Sequence, residues 1–237
     1  MIRSAIHDPE LQRAALALVD NQLHVAEPIL KARLKEDPFD VAAIRMLAEL
    51  AGRLGRYRDA ENLLRRALEL APGFHAARSN LATVLHRQNH TTEALAELDT
   101  LLAAEPDNLT HGNLKAAALG RIGDYDEALA LYETILDRVR DQPKLWMSYG
   151  HVLKTVGRQE ESIAAYRRAL ALRPALGEVW WSLANLKTVK LGADDIAAME
   201  AALATAGLSE EDRLHLDFAL GKACEDASDP ARAFAHY

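Results

Sequence analysis

The sequence is poor in the residues that staple or break a chain. Among 237 residues there are 12 Gly, 8 Pro, 4 Phe and a single Cys. Cys224 alone forms no internal disulfide and no multi-Cys zinc site, which fits a reducing compartment. Scarce Gly and Pro beside abundant Ala and Leu leave few hairpin signals and favour helix. No apolar run approaches the ~18 residues that a membrane span needs. The opening stretch MIRSAIHDPELQRAALALVDNQL is interrupted by Asp8, Glu10 and Arg13, so no signal peptide is read there. An excess of positive charge is also missing. The net charge of −7 argues against a wholesale nucleic-acid binder and reads as solubility. The expected setting is cytoplasmic, with neither membrane nor nucleic acid as partner.

What is present is a period. GRYRDAENLLRRALELAPG (Gly55–Gly73) recurs in weaker form as NHTTEALAELDTLLAAEPD, GDYDEALALYETILDRVRD and GRQEESIAAYRRALALRPA. Ala26, Ala60, Ala94, Ala128 and Ser162 stand 34 residues apart, and so do Ala48, Ala82, Ala116, Gly150 and Ala184. A small residue at two fixed places per unit lets two helix backbones approach closely. Gly55, Asn89, Gly123 and Gly157 sit between them, where a helix-ending turn needs positive φ. Leu47, Leu81 and Leu183 fill the first helices, and Leu64, Leu98, Tyr132 and Tyr166 the second ones. Pro38, Pro72, Pro106 and Pro174 stop the second helices. Each unit is a helical hairpin that cannot bury its apolar face alone, so the units must stack.

These columns resemble the tetratricopeptide repeat, and Trp146-Tyr149-Gly150-Leu153 matches the start of that family's first helix. The resemblance covers nearly the whole chain. It implies an all-α, right-handed superhelical solenoid that binds a protein or peptide in its concave groove. Units are expected at about 7–40, 41–74, 75–108, 109–142, 143–176 and 177–213, with a partial one at 214–237. Arg13 marks the first unit as a degenerate, polar cap. Gly112 and Lys115 predict loose packing in the fourth. Lys187 at an inner position and three extra residues predict shifted geometry in the sixth. Tyr237 falls in the column of Tyr132 and Tyr166, so a continuation beyond it is expected.

Residues 143–237 also resemble the repeats that precede the catalytic domain in bacterial repeat–sulfotransferase fusions. That likeness implies the non-catalytic arm of such an enzyme, with the chain's own downstream domain as a possible partner. The phosphosulfate donor, 3'-phosphoadenosine 5'-phosphosulfate, would then enter only with that domain. No cofactor is expected in this chain, because no Gly-rich phosphate loop is present. A stand-alone scaffold or adaptor is the alternative.

Candidate partner-binding residues are those on the concave side of the first helices: Arg45, Glu49, Ser79, Thr83, His86, Asn113, Met147, His151, Trp181, Asn185, Phe218 and Lys222. Arg53, Arg87 and Arg121, each 34 apart, and then Lys154 form a basic column at the ends of these helices. Two readings stand for the column. It is a ladder of donors for an acidic or extended peptide, or its cations complement helix dipoles at ~0.3–1 kcal/mol each. Asn80 reads as solvated surface. Trp181 either anchors a partner or packs on Phe218. His86 and His90 lie four apart without an H-E-x-x-H motif, so no metal is expected. Cys224 reads as an inert core thiol, and the acids Asp124, Asp126 and Glu127 as helix starts. No catalytic residue is expected.

Overall fold

The computed structural model describes residues 8–186 and 188–237. Lys187 therefore lies outside the described residues. Among those described there are fourteen helices and no strand. They are α1 (Pro9–Val19), α2 (Leu23–Glu36), α3 (Val41–Arg53), α4 (Tyr57–Leu70), α5 (His75–Arg87), α6 (Thr91–Ala104) and α7 (Leu109–Ile122). Then follow α8 (Tyr125–Arg138), α9 (Pro143–Thr155), α10 (Gln159–Leu172), α11 (Gly177–Ala184), α12 (Ala193–Leu203), α13 (Glu210–Asp226) and α14 (Pro230–Ala235). The chain divides into two compact units between Asp124 and Tyr125.

Local chemistry sets the ends of these helices. Asp8, Asp40, Asn108 and Ser209 cap α1, α3, α7 and α13 by accepting from backbone N–H groups in the first turn. Gly55, Asn89, Gly123 and Gly157 end α3, α5, α7 and α9 at φ of 73°, 66°, 95° and 81°. Asn89 holds this conformation because asparagine tolerates the left-handed region better than other side chains do. Pro38, Pro72, Pro106 and Pro174 follow two residues after α2, α4, α6 and α10.

In the first unit each helix packs on the next, and α3 packs also on α1 and α5. The small columns lie where the backbones meet: Ala26, Ala48, Ala60, Ala82 and Ala94 are fully buried, with Leu64 and Leu98 beside them. Leu47 is only half-buried. Arg13 points outward at 66% exposure, while Leu11, Ala14 and Leu18 carry the inner face of α1. Beside α7, Ala82, Leu98 and Leu101 form one cluster with Leu114 partly buried against them, and Gly112, Ala116, Ala118 and Leu119 of α7 itself are buried. Lys115, where a leucine is usual, turns to Asp99 at 2.8 Å.

In the second unit α9 and α10 form a tight hairpin. A Cβ on Gly150 would stand 2.7 Å from the Tyr166 ring, so only glycine lets that ring lie flat on the helix. The Ser162 hydroxyl donates to the Gly150 carbonyl at 2.9 Å, which satisfies a buried polar group at the same contact. Trp146 and Trp180 each donate their indole N–H to a carbonyl six residues earlier, Arg140 at 2.9 Å and Pro174 at 2.8 Å.

The expected shift in the sixth unit takes a specific form. α11 is only 8 residues long, residues 185–192 separate it from α12, and it packs chiefly on α13. The contact is clamped at its start. The Gly177 N–H donates to the Asp212 carboxylate at 3.1 Å, and Arg173 reaches the same group at 3.6 Å. A Cβ on Gly177 would lie 2.2 Å from the Asp212 carbonyl oxygen, a backbone atom that cannot swing aside. Gly177→Ala should therefore cost about 1–3 kcal/mol in urea unfolding. Gly73→Ala, where an added Cβ meets nothing within 4 Å, should leave the midpoint almost unchanged.

Candidate functional site

In the first unit α3, α5 and α7 lie side by side, and their common face carries the polar residues that the packing leaves unused. A cleft of about 550 Å³ opens between α3 and α5. Its floor is Ala48, Gly52, Leu64 and Val84, and Tyr57 closes one side. Glu49, Arg53, Asn80, Thr83 and Arg87 form its polar rim. Of the sequence candidates, Glu49, Arg53, Thr83 and Arg87 come together here.

The cations of this face are not equivalent. Arg45 donates to Glu49 at 3.1 Å, and Arg53 donates to the other oxygen of Glu49 at 2.7 Å. Arg53 also donates to the Leu18 carbonyl at 2.6 Å, and Arg121 donates to the His86 carbonyl at 2.7 Å. Both acceptors lie 35 residues upstream, in the last turn of the preceding first helix. For Arg53 and Arg121 the structure thus supplies the bonds of the helix-end reading, because terminal carbonyls lack intrahelical donors. Arg87 is different. It is exposed, and among the described residues no carboxylate or carbonyl pairs with it.

Asn80 also lines this cleft, and its amide has no partner among the described residues. The Thr83 hydroxyl donates to the Ser79 carbonyl at 3.0 Å and keeps its lone pairs available. His86 and Asn113 are half-buried, and His86 Nδ1 and Asn113 Oδ1 are enclosed without a hydrogen-bond partner. Burial, then the nearby Arg121 and Arg87, hold His86 below the ordinary histidine value, which favours the neutral ring.

The second unit holds the remaining candidates, and most are engaged with the protein. His151 faces the Ser182 hydroxyl at 3.3 Å and Glu178 at 4.0 Å, and its ring stands edge-on to Tyr166 at 5.4 Å. Burial lowers its pKa; Glu178 opposes that shift and Lys154 adds to it. The Trp181 and Phe218 rings are 5.7 Å apart, and Phe218 lies 5.9 Å from Tyr237, so the packing reading for Trp181 has its geometry. Asn185 donates to the Trp181 carbonyl at 2.9 Å, and Lys222 pairs with Asp226 at 2.7 Å. Met147 borders a smaller cleft of about 310 Å³ with Lys144, Glu178 and His215. Lys154 is exposed without an ion pair among the described residues. Ser182 and Glu178 carry no motif that marks them as neighbours of His151; only the stacking of α11 beside α9 reveals the cluster. Among the described residues no three His, Cys, Asp or Glu side chains converge on one point, and no helix is long and apolar enough to cross a membrane.

Two family models, both described as tetratricopeptide repeat, match residues 53–118 and 113–177. Cellulose synthase operon protein C of Pseudomonas fluorescens (strain SBW25) is 31% identical over 168 residues, 66% of this chain and 13% of that protein. DnaJ protein P58IPK homolog B of Oryza sativa subsp. japonica is 26% identical over 186 residues, 72% of this chain and 40% of its own length. The chain thus spans well under half of these curated relatives. A tetratricopeptide repeat protein from Parabacteroides merdae ATCC 43184 superposes with a TM-score of 0.67 at 18% identity, over 96% of this chain and 89% of that one. MamA (41-end) from Desulfovibrio magneticus RS-1 gives 0.62 at 16% identity, over 69% and 92%. YrrB, described as a TPR protein with an unusual peptide-binding site, gives 0.57 at 18%, over 70% and 86%. At these identities the likeness is one of fold.

The unequal Arg column generates a contrast. Arg53→Ala should lower stability by about 1 kcal/mol, through the lost bonds to Leu18 and Glu49. Arg87→Ala should leave the unfolding midpoint unchanged. The two histidines generate a pH dependence. Their folded pKa values lie below 6.5, so the unfolded chain takes up protons first as pH falls. Stability should be fully present above pH ~6.5 and decline as pH drops below it. Urea midpoints at pH 7.5 and 5.5 should differ less in the His86→Asn/His151→Asn double variant than in the wild type.

Proposed function

We propose that this chain, which belongs to the tetratricopeptide-repeat family, binds an acidic peptide in the groove between α3 and α5. One observation carries the reading: Arg87 is a cation with no partner among the described residues, set beside an apolar floor and the Asn80 amide, which is likewise unpartnered among them. A buried or half-buried carboxylate bound by Arg makes a charge-assisted, bidentate contact, the strongest single polar contact available to such a groove. An extended peptide exposes one N–H and one C=O per residue, and an Asn amide answers both kinds. Glu49 is already held by Arg45 and Arg53, so it does not repel an incoming acid as a free carboxylate would. The floor of Ala48, Gly52 and Val84 accepts a small apolar side chain next to the acid. The net charge of −7 speaks against nucleic acid as the anionic ligand. The single cysteine is free and buried, which suits the cytoplasmic setting that belongs to this reading.

A narrower reading makes this module the N-terminal arm of a bacterial sulfotransferase. It rests on the sequence likeness of residues 143–237 alone, and none of the relatives named above is a sulfotransferase by name. The adaptor reading needs only the groove, and the groove is where the test belongs.

Fluorescence anisotropy with a labelled Asp/Glu-rich decapeptide pool, against a Lys-rich pool of matched length, tests the proposal. The acidic pool should bind and the basic pool should not. Arg87→Glu should weaken binding roughly tenfold or more with helix content by circular dichroism unchanged, since that ratio corresponds to about 1.4 kcal/mol. Asn80→Ala should weaken it severalfold. Equal binding by wild type and Arg87→Glu would remove the groove as the anion site.

A further inference from the structure

The second unit carries a cleft on a different face of its first helix α9 from that of Met147 and His151. It has a volume of about 620 Å³ and lies between the second helices α8 and α10, with two aromatic side chains of α9 beneath it. Leu136, Ala164 and Ala165 supply the aliphatic part of its lining.

The two rings are fixed by polar bonds at their edges. Trp146 donates its indole N–H to the Arg140 carbonyl at 2.9 Å. The Tyr149 hydroxyl donates to Glu133 at 2.8 Å, and the two rings meet edge-on at 6.3 Å. Burial and Glu133 push the Tyr149 pKa up to about 12, so the hydroxyl remains a donor throughout the physiological range. Neither ring can turn away without breaking its bond. The wall is therefore pre-organised, and ordering it costs a ligand little.

At the rim Asp137 pairs with Arg140 at 3.6 Å and Glu161 with Arg158 at 2.5 Å, while Glu133 accepts from the neutral Tyr149 hydroxyl and keeps its charge. Arg168, exposed at the opposite edge, has no partner among the described residues. Trp, Tyr and Arg are also the residue types that concentrate binding energy in protein interfaces.

We propose that this cleft is a second peptide-docking site. It takes a segment of another protein that places an aromatic or large aliphatic side chain between Trp146 and Leu136, and a neighbouring carboxylate on Arg168. The site shares no residue with the groove of the first unit, so one chain would hold two segments, or one partner at two points.

The test uses the full chain carrying Arg87→Glu, in which the first groove is disabled, and the labelled probe Gly-Ser-Phe-Asp-Glu-Gly. Anisotropy should saturate with this probe. Adding Arg168→Glu should weaken binding roughly tenfold or more. So should replacing the probe's Phe by Ala, or both of its acids by Lys. Arg168 is exposed and has no partner among the described residues, so the variant should keep its helix content and urea midpoint. Trp146→Phe, which keeps a ring but loses the indole bond to Arg140, should weaken binding with the fold intact. The proposal is overturned by an absence of saturable binding up to ~1 mM probe, by equal affinity with and without Arg168→Glu, or by indifference to the Phe and acid replacements. If the wild type binds the probe and Arg87→Glu alone abolishes that binding, the proposal is likewise overturned and the probe belongs to the first groove.

Discussion

Everything in this chain depends on how closely two helices can approach. Where Gly150 meets Tyr166 no atom can be added without moving the ring, and Ala48 and Ala60 are wholly buried in one cluster. Close approach uses up the inner faces of the helices completely, because the interior must reach crystal-like density to hold together. It also fixes which face is left over. On the first helices that face holds Glu49, Arg53, Thr83 and Arg87, a polar strip that contributes nothing to the core. The same contact recurs at Gly221, where a Cβ would stand 2.6 Å from the Tyr237 ring. One steric rule thus repeats along the chain and decides what is available for recognition.

The helical fold was legible because its signals are local and periodic. Small residues every 34 positions, Gly or Asn at positive φ and Pro after the second helix each have one physical use. Asn89 shows how direct that reading is, since it stands in a glycine column and adopts the glycine conformation. Gly112 and Lys115 predict loose packing around α7, yet Gly112, Ala116, Ala118 and Leu119 are buried there. The clamp of α11 on α13 was not legible. Three extra residues announce a change of geometry, but nothing in the sequence says that Gly177 will touch the backbone of Asp212.

The candidate site was less legible, and the Arg column shows why. Arg53, Arg87 and Arg121 occupy equivalent positions and are indistinguishable by spacing. Two of them reach back to a carbonyl of the preceding helix, and one does not. That choice is made by side-chain packing, which a period does not encode. Asn80 reads as solvated surface in isolation and lines the cleft only because α3 lies beside α5. Trp146 and Tyr149 are recognised first as repeat landmarks. Their second role, as a wall held from both edges, depends on Arg140 and Glu133, which belong to no repeat column.

The bonds from Arg53 to Leu18 and from Arg121 to His86 have a consequence for how the first unit comes apart. Each ties the last turn of one first helix to a side chain of the next. Helix ends normally fray independently. Here, opening the last turn of α1 breaks a bond that belongs to α3, and opening the end of α5 breaks one that belongs to α7. In a stacked-repeat chain such terms are nearest-neighbour couplings, and they set how far a local opening spreads before it stops. The coupling is reciprocal: disturbance at either helix of the α1–α3 or α5–α7 pair weakens the other. Between α3 and α5 Arg87 makes no such bond among the described residues, so the boundary that forms the groove is also where this coupling is missing there.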